Sequence, residues 1–318
     1  MSEHKIYLDC DPGIDDALAL GYLLGTPGVD LLGIGTVSGN TNASQGARNA
    51  LSLLALAGRS EIPVAIGSNE FSHGNDDGGA PHVHGASGTG AVELPEADAS
   101  PAEESAVQML IRLSHEHEGQ LHVVAVGPLT NLALALEQDP AIARRIRQVT
   151  IMGGAALVPG NVTQAAEANI KNDPEAARAV FGAPWEIVVV PLDVTLFNTF
   201  EESDREALMA GSPFAQALGA MLDYYFNFYV GFFGRRAAAL HDPLAAAIAV
   251  GGVKAVAAPS CRITVDCSDA PTRGQTRTSM PEDLPIHSIP DTPGANVSVV
   301  LRTDDSLRSI LRETLLAV

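Results

Sequence analysis

Apolar residues along this chain follow two alternating rhythms: short unbroken runs, and longer stretches with helical spacing. The unbroken runs at residues 6–8, 30–37, 62–66, 121–126, 149–152 and 186–194 predict buried strands. Between them, residues 15–24, 42–56, 103–117, 130–136 and 173–181 carry the pattern of helices, with Asn42 and the Asp173-Pro174 pair as start signals. Continuous apolar strands alternating with helices predict an α/β fold with an open, mostly parallel sheet covered on both faces. Past Thr199 the character turns helical: residues 201–210, an aromatic-rich helix over 213–233, a helix with Pro243 at its first position, and a last helix from Asp305. Residues 262–265 and 297–301 read as edge strands. No repeat or linker interrupts the pattern, so a single domain over residues 1–318 is expected.

One loop breaks the rhythm. Residues 72–90, SHGNDDGGAPHVHGASGTG, are rich in Gly, His and Asp and too long for a plain connector, which is the pattern of a disordered segment or a functional lid. The densest charge lies at the other end of the pattern, where residues 5–20 read KIYLDCDPGIDDALAL. Asp9, Asp11, Asp15 and Asp16 fall within eight positions, after the first strand and around a Pro12-Gly13 turn. Open α/β sheets bind ligands at the carboxyl ends of their strands. Helix capping accounts for one or two of these aspartates but not for one on the preceding strand. Carboxylates packed this closely take up protons unless a cation neutralises them, and a hard divalent ion with oxygen ligands suits such a set.

With 318 residues, 46% hydrophobic and 18% charged, the chain has the composition of an ordinary globular protein. A formal charge of −19 disfavours nucleic acid and anionic membrane faces as partners. Cys10, Cys261 and Cys267 are odd in number and lack metal-ligand spacing, which points to a reducing compartment. The N-terminus carries no apolar stretch of signal-peptide length, and no apolar run of about 18 residues occurs, so a soluble cytoplasmic protein is expected.

The acidic turn, Asp9-Cys10-Asp11-Pro12-Gly13-Ile14-Asp15-Asp16, resembles the signature of the nucleoside hydrolases, specifically the inosine-uridine preferring type. The likeness continues in order through Thr36-Val37-Ser38-Gly39-Asn40, His82-Val83-His84-Gly85, Gly127-Pro128-Leu129-Thr130-Asn131, Met152-Gly153-Gly154, Gly160-Asn161, Glu167-Ala168-Asn169 and His241-Asp242-Pro243. The resemblance implies an open sheet with a Rossmann-like core and extra C-terminal helices, a tightly bound Ca2+, and hydrolysis of the N-glycosidic bond of ribonucleosides. It places the metal on Asp11, Asp16, Asp242 and the main-chain carbonyl of Val126, where this chain departs from the family's Thr. It also implies a homodimer or homotetramer.

Calcium accepts six to eight oxygens in loose geometry, enough for protein ligands, a water and two cis hydroxyls of a ribose. Asp11 is then the expected general base. Asp15 would accept from a ribose hydroxyl, with Asn40, Asn161, Glu167 and Asn169 completing a sugar clamp, and Met152 is placed with them as substrate-binding. Read as an extended segment, Glu167 and Asn169 would face the same side. His241 is the candidate proton donor to the departing base, and His84 resembles the family's base-proximal histidine. Tyr225 and Tyr229, one helical turn apart, resemble the aromatic positions of the purine-tolerant type, and Phe233 extends that face. Flat rings imply breadth over purine and pyrimidine bases. Two alternatives stay open: a Mg2+ phosphohydrolase of the HAD type with Asp9 as nucleophile, and a non-catalytic, calcium-stabilised nucleoside-binding protein.

Overall fold

The computed structural model describes residues 4–73, 79–281 and 283–318. Strand β1 (His4–Cys10) leads into helix α1 (Ile14–Gly25), β2 (Val29–Thr36) into α2 (Ala43–Leu56), and β3 (Val64–Ile66) towards the short α3 (Pro81–His84) and α4 (Ala106–Glu116). The alternation continues through β4 (Leu121–Ala125), α5 (Thr130–Gln138), α6 (Ile142–Arg145), β5 (Gln148–Met152), α7 (Ala168–Asn172), α8 (Pro174–Gly182) and β6 (Ile187–Val190). Then come α9 (Leu192–Thr195), β7 (Thr199–Glu201), α10 (Glu202–Met209), α11 (Pro213–Phe233), β8 (Ala237–Ala239) and α12 (His241–Ala249). The chain closes with β9 (Ala255–Ala257), β10 (Ser260–Cys261), β11 (Ile263–Val265), β12 (Thr276–Thr278), β13 (Val297–Val299), β14 (Arg302–Thr303) and α13 (Leu307–Ala317).

Eight strands form one sheet in the order β10-β13-β6-β5-β4-β1-β2-β3, parallel except where β10 meets β13. Strand alternation sends Ile6, Leu8 and Cys10 of β1 into one helical layer and Tyr7 into the other. Both faces are covered, which is why the strands read as continuous apolar runs. From β1 the chain winds outward through β2 and β3, then crosses back to β4 on the opposite side and proceeds to β5 and β6. The carboxyl ends of β1 and β4 therefore flank the point where the winding reverses, the crevice in which such sheets bind ligands.

Several boundaries depart from the sequence pattern for identifiable reasons. The strand expected over 186–194 ends at Val190, because Pro191 has no N–H for the ladder and the next residues turn into α9. Pro243 is the third residue of α12, not the first, since the helix already includes His241 and Asp242. The segment at 297–301 is not an edge: β13 sits between β10 and β6. The segment at 262–265 contributes β11, which pairs with β12 in a separate hairpin. Helix α4 starts at Ala106 because Ser105 caps it, accepting from Gln108 N. Of the loop at 72–90, residues 74–78 lie outside the described residues, and α3 occupies its later part.

Candidate active site

The acidic turn is built by its own backbone donors. Asp16, in the first turn of α1, folds back so that Oδ2 accepts from Gly13 N at 2.9 Å and Oδ1 from Asp11 N at 3.1 Å. After β2, Asn40 leans in from the neighbouring loop. Its N–H donates to Asp11 Oδ2 at 2.6 Å and its side-chain amide to Asp16 Oδ2 at 3.0 Å. The two loops approach so closely that only glycine fits at two positions. A Cβ on Gly39 would lie 2.0 Å from Asp11 Oδ2, and one on Gly13 2.7 Å from both Asn40 Nδ2 and His84 Nδ1.

The first turn of α12 brings Asp242 to the same place, so that Asp15, Asp16 and Asp242 present carboxylate oxygens within 4.8 Å of one another. This tight triplet contains Asp15 where the resemblance put Asp11, which stands beside it through its bond to Asp16. Among the described residues, Asp11 Oδ1 and Asp15 Oδ1 are buried with no hydrogen-bond partner. Burial, followed by the charge of Asp16, holds the Asp11 carboxyl well above the usual carboxylate range. Burial and then the charges of Asp15, Asp16 and Asp11 do the same to Asp242, while burial pushes Asp15 and Asp16 up to about 6. So much unsatisfied anionic oxygen cannot stay ionised together near neutral pH without positive charge, and a hard divalent cation fits this donor set.

Glu167 and Asn169 come from a different element than expected. They do not lie on an extended segment: Glu167 is the N-cap of α7 and Asn169 sits in its first turn. The Glu167 carboxylate accepts from Asn169 N and Gly154 N, each at 2.9 Å, and from Ile170 N at 3.2 Å. The Asn169 amide donates to Val126 O at 2.8 Å and to Met152 O at 3.1 Å, tying the ends of β4 and β5 together under the site. Asn161 is exposed at the outer edge of this region, with its Oδ1 accepting from Ala168 N.

The opposite wall belongs to α11. Tyr225 and Tyr229 are buried on one face of it and meet edge to face, with ring centroids 5.0 Å apart, and Phe233 stacks on Tyr229 at 5.4 Å. Their hydroxyls do more than the sequence pattern foretold. Tyr225 donates to Asp15 Oδ2 at 2.9 Å, and the Tyr229 hydroxyl lies 2.7 Å from His241 Nε2. The other ring nitrogen of His241 is 2.7 Å from Thr195 Oγ1. Thr195 gave no sign in the sequence, since it is a lone buried threonine 46 positions from its partner. His84, from α3, accepts from Ile14 N through Nδ1 at 3.1 Å, so its hydrogen is on Nε2. Burial draws His84 down to about 4, so its 3.8 Å approach to Asp15 is a contact of a neutral ring. His241 is likewise neutral, drawn down to about 3 by burial.

Asp9 stands apart. It shares the sheet face of Tyr7 and Ala125, is 1% exposed, and accepts from Tyr7 OH and Asn131 Nδ2. Its partners belong to the helical layer opposite α1, and it is not among the clustered carboxylates, so the phosphohydrolase alternative loses its reacting group.

Comparisons with known proteins agree with this geometry. The family described as inosine-uridine preferring nucleoside hydrolase matches residues 6–307. A probable uridine nucleosidase 2 of Arabidopsis thaliana is 40% identical over 242 residues, 75% of each chain. The solved plant nucleoside hydrolase PpNRh1 superposes with a TM-score of 0.91 at 34% identity, covering 99% of this chain and 100% of its own. A purine-preferring ribonucleoside hydrolase from Gardnerella vaginalis superposes with a TM-score of 0.88 at 32% identity, covering 98% and 97%. With its whole sheet, its acidic turn and nearly its full length matched, the chain belongs to the inosine-uridine preferring nucleoside hydrolase family.

Proposed function

We propose that this nucleoside hydrolase is calcium-dependent and cleaves the N-glycosidic bond of purine and pyrimidine ribonucleosides to free base and ribose. The reading is carried by the convergence of Asp11, Asp15, Asp16 and Asp242, with buried, unpartnered oxygens, opposite a wall of tyrosines and a buried histidine. Relatives named for uridine and for purines support breadth over bases.

Breaking the bond from C1' to the base nitrogen leaves positive charge on the sugar and negative charge on the base. The carboxylate side therefore faces ribose and the tyrosine side faces the base. Held by Asp11, Asp16, Asp242 and the Val126 carbonyl, Ca2+ would neutralise the carboxylates and supply Lewis acidity towards water and sugar hydroxyls. Asp11 uses Oδ2 to accept from Asn40 N, which leaves Oδ1 to take a proton from the attacking water. Asp15, steadied by Tyr225, keeps Oδ1 for a ribose hydroxyl. Asn40, Asn161, Glu167, Asn169 and Met152 shape the rest of the sugar clamp, and its buried members Glu167 and Asn169, on losing a hydroxyl partner, reject a deoxyribose strongly. His84, Tyr225, Tyr229 and His241 surround the base, with His241 acting on the leaving group through the Tyr229 hydroxyl. The reading includes a cytoplasmic homodimer or homotetramer serving nucleoside salvage, whose assembly light scattering measures.

The test is a reducing-sugar assay on inosine, adenosine, guanosine, uridine and cytidine, with and without a chelator. Release from both base classes, lost on chelation and restored by Ca2+, is expected; full activity after exhaustive demetallation overturns the reading. Asp11→Asn should lower kcat by about 10²- to 10⁴-fold while substrate still binds.

A further inference from the structure

His241 has no ring nitrogen left for a substrate. Nδ1 faces Thr195 Oγ1 and Nε2 faces the Tyr229 hydroxyl, both at 2.7 Å. A neutral imidazole carries one hydrogen, so one of these contacts donates to the ring and the other receives from it. Hydrogen-bond accounting decides which. Thr195 is 0% exposed, and among the described residues His241 is its hydroxyl's only hydrogen-bond partner. If the ring donated to Thr195, the threonine hydrogen would be buried without an acceptor. If Thr195 donates to Nδ1, the hydrogen left over is that of Tyr229, whose side chain, unlike that of Thr195, keeps some exposure. The ring then carries its hydrogen on Nε2 and donates to the Tyr229 oxygen. The Tyr229 hydrogen is thereby turned away from His241 and is the one left for a substrate.

We propose that Thr195 is a positioning residue for the glycosidic cleavage: by donating to His241 Nδ1 it fixes the Nε2–H tautomer, so that Tyr229 offers its hydroxyl hydrogen to the departing base. This deepens the proposed function and rests on it. The backbone is arranged for the contact. Thr195 ends α9, Thr199 of β7 pairs with Ala239 of β8, and Leu240 N donates to Asn198 O at 2.8 Å, which sets the first residue of α12 against the last turn of α9. Without the threonine hydrogen, the ring is free to carry its own hydrogen on Nδ1. Tyr229 would then donate to the bare Nε2 and present only a lone pair to a base that is gathering negative charge. The role is selective by nature, because only a leaving group that needs a hydrogen-bond donor depends on it.

The experiment compares Thr195→Val and Thr195→Ser with the parent enzyme on inosine and on p-nitrophenyl riboside, whose leaving group needs no protonation. Thr195→Val should lower kcat for inosine at least tenfold more than kcat for p-nitrophenyl riboside, with Thr195→Ser restoring the parent ratio. The ring nitrogens give an independent readout. In a 15N-histidine-labelled sample, the His241 signals should report the Nε2–H tautomer in the parent and shift towards Nδ1–H in Thr195→Val. Equal losses on both substrates, or a parent ring already in the Nδ1–H form, overturn the proposal. A parent enzyme that releases ribose from neither substrate overturns the underlying hydrolase reading instead.

Discussion

A methyl group at position 39 has nowhere to go, because the oxygen 2.0 Å from its ideal place is Asp11 Oδ2, the acceptor of Asn40 N. Gly39→Ala should therefore displace Asp11, costing roughly 1–3 kcal/mol in urea denaturation as an overpacked site and lowering kcat together with stability. His122 sets a different condition. Its Nε2 lies 2.9 Å from Thr150 Oγ1, and burial draws its pKa down to about 4. The unfolded chain takes up this proton near pH 6.5 and the folded one only near 4, so the group's contribution to stability is intact above that window and lost as pH falls through it. Relative to His122→Gln, the parent should lose urea stability between pH 6.5 and pH 4; a parallel pair of profiles would refute this. The acidic turn was legible because mutual repulsion acts between neighbours in sequence. Thr195 and the hydroxyl duties of Tyr225 were not, because each depends on a partner that only the fold brings near, 46 and 210 positions away.

At the level of elements, α11 was readable to the residue: Ser212 caps its start, accepting from Ala215 N, and Gly234 ends it in the left-handed region that glycine favours. The place of β13 was not readable, because an apolar run states that a strand is buried but not which strands flank it. Glu167 misled for a related reason. Its spacing to Asn169 suits an extended segment, yet its carboxylate collects three backbone N–H groups and so starts a helix instead. Asp173 shows how much one cap can gather. Fully buried at the start of α8, it accepts from Ala176 N, from the backbone and hydroxyl of Ser72, and from Thr130 Oγ1. Asp173→Ala strands all four donors and should cost about 2–4 kcal/mol in urea denaturation.

For the molecule as a whole, the alternation of apolar runs and helices sufficed to predict an α/β protein built on a mostly parallel sheet, since β1 to β6 each fall on an apolar run, whereas the buried β8, three alanines long, gave no such signal. Strands from both ends of the chain, β1 and β13, lie in that one sheet. We therefore expect residues 1–318 to unfold as one unit, with Trp185, 1% exposed and donating to Val180 O, reporting the same transition by fluorescence as circular dichroism reports for the helices. Calcium should move that transition. A ligand that binds only the folded form stabilises by about 2.7 kcal/mol at a hundred times its Kd, so adding Ca2+ to chelator-treated protein should raise Tm by several degrees at pH 7. No shift would remove the cation from the account.

Tyr225 belongs at once to the aromatic wall and, through Asp15, to the carboxylate cluster that the proposed function turns towards the sugar. If the proposed function holds, base choice and the grip on ribose are thus not separately adjustable in this scaffold. A lineage that replaced this tyrosine to welcome a different nucleobase would have to find Asp15 a new donor in the same step, so divergence here is expected to proceed by paired substitutions.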